Sequence, residues 1–236
     1  MRVFLAGTLL ALALAVAGCG GGGSPSSSGG NGEAAKSAQQ VLTDTVKAAD
    51  AASSFHISGQ ISAAQQVGLD LTIVKGKGAT GSFTLKGNKV DLVIIGTDAY
   101  MKADAAFFTQ FAGSSGGTIA HLAAGKWLKF STTDPQFGQL TGIASSKSIF
   151  DAITSSHGKL KNKGATTYQG QSVVDIYGGS KNGDFYVAAT GTAYPVALAK
   201  SGSGAHGSVT FDNWNKSVTL TAPSGAIDIS QLMGSG

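Results

Sequence analysis

The stretch that decides the fold is Phe55-His56-Ile57-Ser58-Gly59-Gln60-Ile61, followed after a short break by Val67-Gly68-Leu69-Asp70-Leu71-Thr72-Ile73. In both, apolar residues alternate with polar or small ones. A period of two puts every apolar side chain on one face of an extended strand and the polar ones on the other. The same pattern predicts strands over 82–86 and 89–95, joined at Gly87-Asn88, and over 99–102, with a hairpin turn over 76–81. The result is a meander of about five strands with one apolar face.

Upstream the period changes. Residues 33–54 lack Gly and Pro and place Ala38, Val41, Leu42, Thr45, Val46 and Ala49 at spacings of three and four, which predicts an amphipathic helix. Downstream, 104–112 carries Phe107, Phe108 and Phe111 and reads as a short helix, 126–130 as a strand, and 148–156, with Ile149, Phe150 and Ile153, as another helix. From residue 159 the period returns to two, with strands predicted over 172–177, 184–189, 194–200, 207–213 and 216–221. The class is α+β: a long antiparallel sheet with a few helices gathered on one face. Its apolar face must meet helices, itself or a ligand, and the pattern alone leaves a closed barrel and a partly curled sheet both open.

Composition narrows the function. Of 236 residues 35 are Gly, and charged residues make up 13%, about half the usual ~25%, which excludes a coiled coil. A hydrophobic content of 42% excludes disorder of the whole chain. Arg2 is the only arginine, so every other base is Lys. Nucleic-acid recognition leans on Arg for bidentate contacts and stacking, so no nucleic-acid partner is expected. Cys19 is the only cysteine, which rules out an internal disulfide framework and a multi-cysteine metal site.

That cysteine sits at an informative place. Met1-Arg2 supplies a positive start, residues 3–17 are an apolar run, and Val16-Ala17-Gly18-Cys19 follows at once. At about 15 residues the run is short of the ~20 needed to span a bilayer as a helix, and it reads as the core of a secretion signal. Its end resembles a bacterial lipobox, which implies cleavage before Cys19 and acylation of its sulfur. Two or more acyl chains anchor a protein far better than one. Residues 1–18 are therefore expected to be a signal peptide, and 19–32, almost wholly Gly and Ser after the cysteine, a flexible tether with a span of roughly 20 Å. Residues 33–236 are expected to form one domain on the extracytoplasmic face of the cell membrane.

No catalytic signal survives its context. Gly76-x-Gly78-x-x-Gly81 and Gly202-x-Gly204-x-x-Gly207 match the dinucleotide fingerprint by letter, but each leads into a strand, whereas the fingerprint needs a helix N-terminus aimed at the pyrophosphate. Gly113-x-Ser115-x-Gly117 matches a nucleophile elbow without the strand that should precede it. The histidines, His56, His121, His157 and His206, lie singly, with no metal-ligand spacing. The reading is a non-enzyme with no cofactor and no metal.

The order of pieces along the chain carries a resemblance. The pieces are 90–102 (VDLVIIGTDAYMK), 125–129 (GKWLK), 168–174 (YQGQSVV), 186–196 (YVAATGTAYPV), 211–215 (FDNWN) and 218–223 (VTLTAP), all following a lipobox and a helix. In this order they resemble the LppX/LprA/LprF/LprG-type actinobacterial lipoproteins, which look distantly like the LolA and LolB carriers. The resemblance implies a curved antiparallel half-barrel with helices on its concave face, enclosing an apolar cavity for the acyl chains of a lipid or lipoglycan. On this chain the expected lining is Leu42 and Val46 from the first helix, and Phe55, Ile57, Leu69, Leu71, Ile73, Leu92 and Ile94 from the meander. The later helices would add Phe107, Phe108, Phe111, Phe150 and Ile153. The implied function is to carry or present such a lipid in the envelope, with a membrane transporter as a further partner. The alternative is a regulatory lipoprotein that uses the same fold to bind a membrane protein.

Overall fold

The computed structural model describes residues 29–62, 66–111, 120–121, 123–133, 142, 145–155, 157–180, 182–201 and 206–229, the side chains of Phe111 and Ala152 excepted. Cys19, the stretch 1–18, Ser115, Gly202 and Gly204 lie outside the described residues.

The first meander runs through β1 (Ser54–Ser62), β2 (Gln66–Val74), β3 (Gly78–Leu85), β4 (Asn88–Ile95), β5 (Asp98–Ala103) and β6 (Leu128–Ser131). A second runs through β7 (Lys161–Tyr168), β8 (Gln171–Tyr177), β9 (Asp184–Ala188), β10 (Pro195–Lys200) and β11 (His206–Asp212). Antiparallel pairing of β1 with β11 joins them, and the two-residue β12 (Ile227–Asp228) adds in parallel to β6. The result is one twelve-stranded sheet in the order β12-β6-β5-β4-β3-β2-β1-β11-β10-β9-β8-β7. The sheet is open, with β12 and β7 as its edges, and it forms the half-barrel class of fold with helices on its apolar face.

Register explains how the alternation becomes a core. Phe211, Ile57, Leu71, Gly81, Leu92, Met101 and Leu128 face one another in a single row across seven strands. The six side chains of that row are all buried, and each such burial is worth about 1.5–3 kcal/mol relative to exposure. Gly81 holds the row's empty position. Its φ is +142°, and a Cβ there would stand 2.1 Å from the Asp70 carbonyl oxygen, so only glycine lets β2 and β3 approach this closely. Such glycines let a strand bend within a curved sheet.

Among the described residues the helices are α1 (Ala38–Ala51), α2 (Ala105–Phe111) and α3 (Ser146–Ser155), with further helical positions at 120–121, 123 and 142. Helix α1 is shorter than the predicted 33–54 because a capping box sets its start: the Gln40 N–H donates to Ser37 Oγ, and the Ser37 N–H donates to Gln40 Oε1 at 3.0 Å. Residues 33–35 form a separate 3-10 turn. The Asn162 amide of β7 fixes this segment by donating to the Lys36 carbonyl at 2.8 Å. Asp104 caps α2 by accepting the Phe107 N–H at 2.8 Å.

Three local expectations change. The turn predicted over 76–81 occupies only 75–77, and β3 begins at Gly78, because Gly78 and Gly81 serve close strand contacts rather than a turn. Residues 216–221 make no ladder, and the last strand is Ile227–Asp228 instead. Strand β7 is an additional one: its sequence, KNKGATTY, has no apolar alternation because it is an exposed edge, blunted by Lys161 and Lys163.

Candidate functional site

The concave face has two parts of different filling. The larger is a packed core, in which Phe55, Phe150 and Phe211 lie with ring centroids 5.5–6.3 Å apart and Trp214 stacks on Phe55 at 5.0 Å. Aliphatic residues of β1–β6, with Phe107 and Phe108 of α2, fill the rest of it. The smaller part lies over β8–β10, where the N-terminal half of α1 contributes Ala38, Val41 and Leu42 against Val174, Ile176, Phe185 and Val187.

A cavity of about 210 Å³ opens in this smaller part. Its floor is Leu42, Ile176 and Phe185, all buried. Half-buried Ile61, Ile153, Leu160 and Leu198 form the walls. Register puts Ile176, Phe185 and Leu198 side by side on β8, β9 and β10, and the same row continues through Val209 and Gly59 to Leu69 and Phe83. The cavity therefore belongs to the same concave face as the packed core.

The mouth lies where β8 ends, β9 begins and β10 ends. Its polar side chains, His157, Asn182 and Lys200, are all half-buried. The loop between β8 and β9 is closed by the Gly178 N–H donating to the Gly183 carbonyl at 2.9 Å, and by the Asn182 amide donating to the Gly178 carbonyl at 2.9 Å. His157 Nδ1 is 3.1 Å from the Gly158 carbonyl oxygen, an arrangement that uses it as a donor and leaves Nε2 for another partner. Among the described residues no carboxylate lines the cavity. Alternation sends Asp175 and Asp184 to the opposite face, where Lys163 pairs with both. Burial raises the Asp175 pKa, opposed by the Lys163 hydrogen bond.

Of the side chains expected to line a cavity, Leu42 and Ile153 do so. Phe55, Ile57, Leu71, Ile73, Leu92, Ile94, Phe107, Phe108 and Phe150 lie in the packed core, and Leu69 is partly buried against it. Val46 is half-buried on α1. Sequence reasoning missed Ile61, Leu160, Ile176, Phe185 and Leu198. The alternation along β8–β10 was the available signal for three of them.

Around β1 the convex face is polar, with His56, Ser58, Asp70, Thr72, Thr210 and Asp212 side by side. There His56 links β2, β1 and β11, with Nε2 2.8 Å from Asp70 Oδ1 and Nδ1 2.9 Å from Asp212 Oδ1. Burial lowers the His56 pKa, but its hydrogen bonds to both carboxylates, with their charges, outweigh it and the net shift is upward.

No family model and no curated protein matches this chain. Among solved structures, LprF from Mycobacterium bovis superposes with a TM-score of 0.50 at 14% identity, over 84% of this chain and 100% of its own. The lipoprotein LppX of Mycobacterium tuberculosis gives 0.48 at 13% identity, over 78% and 99%. The fold of this chain is thus similar to that of LprF.

Proposed function

We propose that the protein is a lipid-binding lipoprotein of the cell envelope. In this reading residues 1–18 are removed and Cys19 is acylated. The tether 19–32 then holds the single domain 33–236 at the extracytoplasmic face of the membrane. The cavity over β8–β10 shelters acyl chain from water, at about 0.8 kcal/mol per buried methylene, so that the lipid can be carried or presented. Binding and release of this kind need no catalytic group.

The observation that supports the reading is the apolar cavity between α1, α3 and β8–β10 in a sheet of the LprF kind. The test is organic extraction of the full chain purified from its host membrane, followed by mass spectrometry beside Leu198→Trp, which fills the cavity. The wild type should carry a specific lipid that the variant lacks; identical extracts from both would overturn the reading. For the anchor, Cys19→Ala should leave the protein unprocessed and without added acyl mass.

A second reading, a regulatory lipoprotein that binds a membrane protein, is favoured by one observation: most of the concave face is already filled by its own side chains. It moves ahead if extraction returns no specific lipid.

A further inference from the structure

We infer that the cavity takes a single acyl chain, from an amphiphile whose headgroup bears a carboxylate or phosphate anion. This rests on the cavity being an acyl site, as proposed above, and adds what kind of lipid fits.

Size argues for one chain. A volume of about 210 Å³ is below the ~300–1,000 Å³ of ordinary small-molecule pockets. Against that range the space suits the distal part of one chain rather than two side by side. On the other side of Ile153 and Leu198 the face is occupied by the Phe150 and Phe211 rings, so among the described residues the cavity does not extend in that direction.

Charge argues for the anion. The floor is wholly apolar, so the chain enters methyl end first and leaves its head among His157, Asn182 and Lys200. Lys200 is the last residue of β10 and lies two positions beyond Leu198, which puts it on the cavity side of the strand. Among the described residues no carboxylate lies within ion-pair distance of it, and the nearby acids face the other way against Lys163. A half-buried ammonium beside an apolar pocket strengthens charge-assisted hydrogen bonds to an anion. A neutral head would leave Lys200 without that gain.

Photoaffinity labelling of the full chain in its membrane tests this. The probes are photoactivatable palmitic acid, its methyl ester, a lysophosphatidic acid with the same chain, and a diacyl phosphatidylcholine. The acid and the lysophosphatidate should label peptides carrying Ile176 or Phe185, and the tighter of the two identifies the headgroup. The ester should need about 10-fold more probe for half-saturation, the loss of one charge-assisted bond. Lys200→Gln should bring the anionic probes to the ester's level and leave the ester unmoved. Equal labelling by acid and ester, or indifference of the anionic probes to Lys200→Gln, overturns the headgroup assignment while leaving an acyl site in place. Equal labelling by the diacyl probe overturns the single chain. Failure of every probe to label these peptides overturns the acyl-site reading itself.

Discussion

The sheet over β1–β6 and the sheet over β8–β10 are built from the same alternating pattern, yet one is filled and the other is hollow. The difference lies in what descends onto each. Phe150 of α3, Phe211 and Trp214 close over Phe55 in the first region. Over the second, α1 offers Ala38, Val41 and Leu42, shorter side chains that leave a cavity bordered by Leu160 and Leu198. An apolar face is therefore a requirement for covering, and the volume of the covering side chains decides whether a space remains.

The comparison breaks most sharply at Phe150. Its truncation to Ala should cost about 3–5 kcal/mol in chemical denaturation, because the aromatic cluster would lose its centre. A loss below about 1 kcal/mol would mean that this region is not close-packed.

Insertion is the converse experiment. Leu71 is wholly buried in the filled row, so Leu71→Trp should overpack it at about 1–3 kcal/mol. Leu198→Trp points into the hollow and should cost less, below about 1 kcal/mol, while displacing ligand. Equal costs would erase the distinction between the two regions.

Helix α1 roofs the hollow region and begins at the Ser37–Gln40 capping box. Ser37→Ala should cost about 1 kcal/mol, with earlier hydrogen exchange in the first turn of α1 than in β1–β5.

The smallest effect is expected at the seam between the regions, where His56 braces β1 against Asp70 on β2 and Asp212 on β11. Its pKa in the folded protein is raised above the ordinary 6.5. The brace therefore contributes fully below about pH 6.5, and its contribution is lost as pH rises through the higher folded value. Melting of the wild type should fall relative to His56→Gln between neutral and mildly alkaline pH, and parallel curves would remove His56 from the account. In the sequence His56 is a lone histidine with no metal-ligand spacing. Only the pairing of β1 with β11, 156 residues apart at this contact, brings Asp212 to it.

Much of the fold was legible because it depends on short-range periodicity. The alternation from Phe55 to Ile73 determined strands and their faces, and the spacing of Val41, Leu42, Thr45 and Ala49 determined a helix with one buried side. Edges were less legible. In β7 the absence of an apolar face removed the signal, and the alternation at 216–221 produced no strand because no neighbour pairs with it there.

What the sequence by itself determined is the class: an antiparallel sheet with one apolar face, helices to cover it, and a run ending at Cys19. What only the tertiary structure decided is where that face is left uncovered. Leu71 and Leu198 look alike in their strands, each an apolar residue in an alternating run. One is sealed by contacts across the meander and the other borders a cavity, because filling is set by the sizes of side chains brought together from α1, α3 and β8–β10, and local pattern carries no record of those distant volumes.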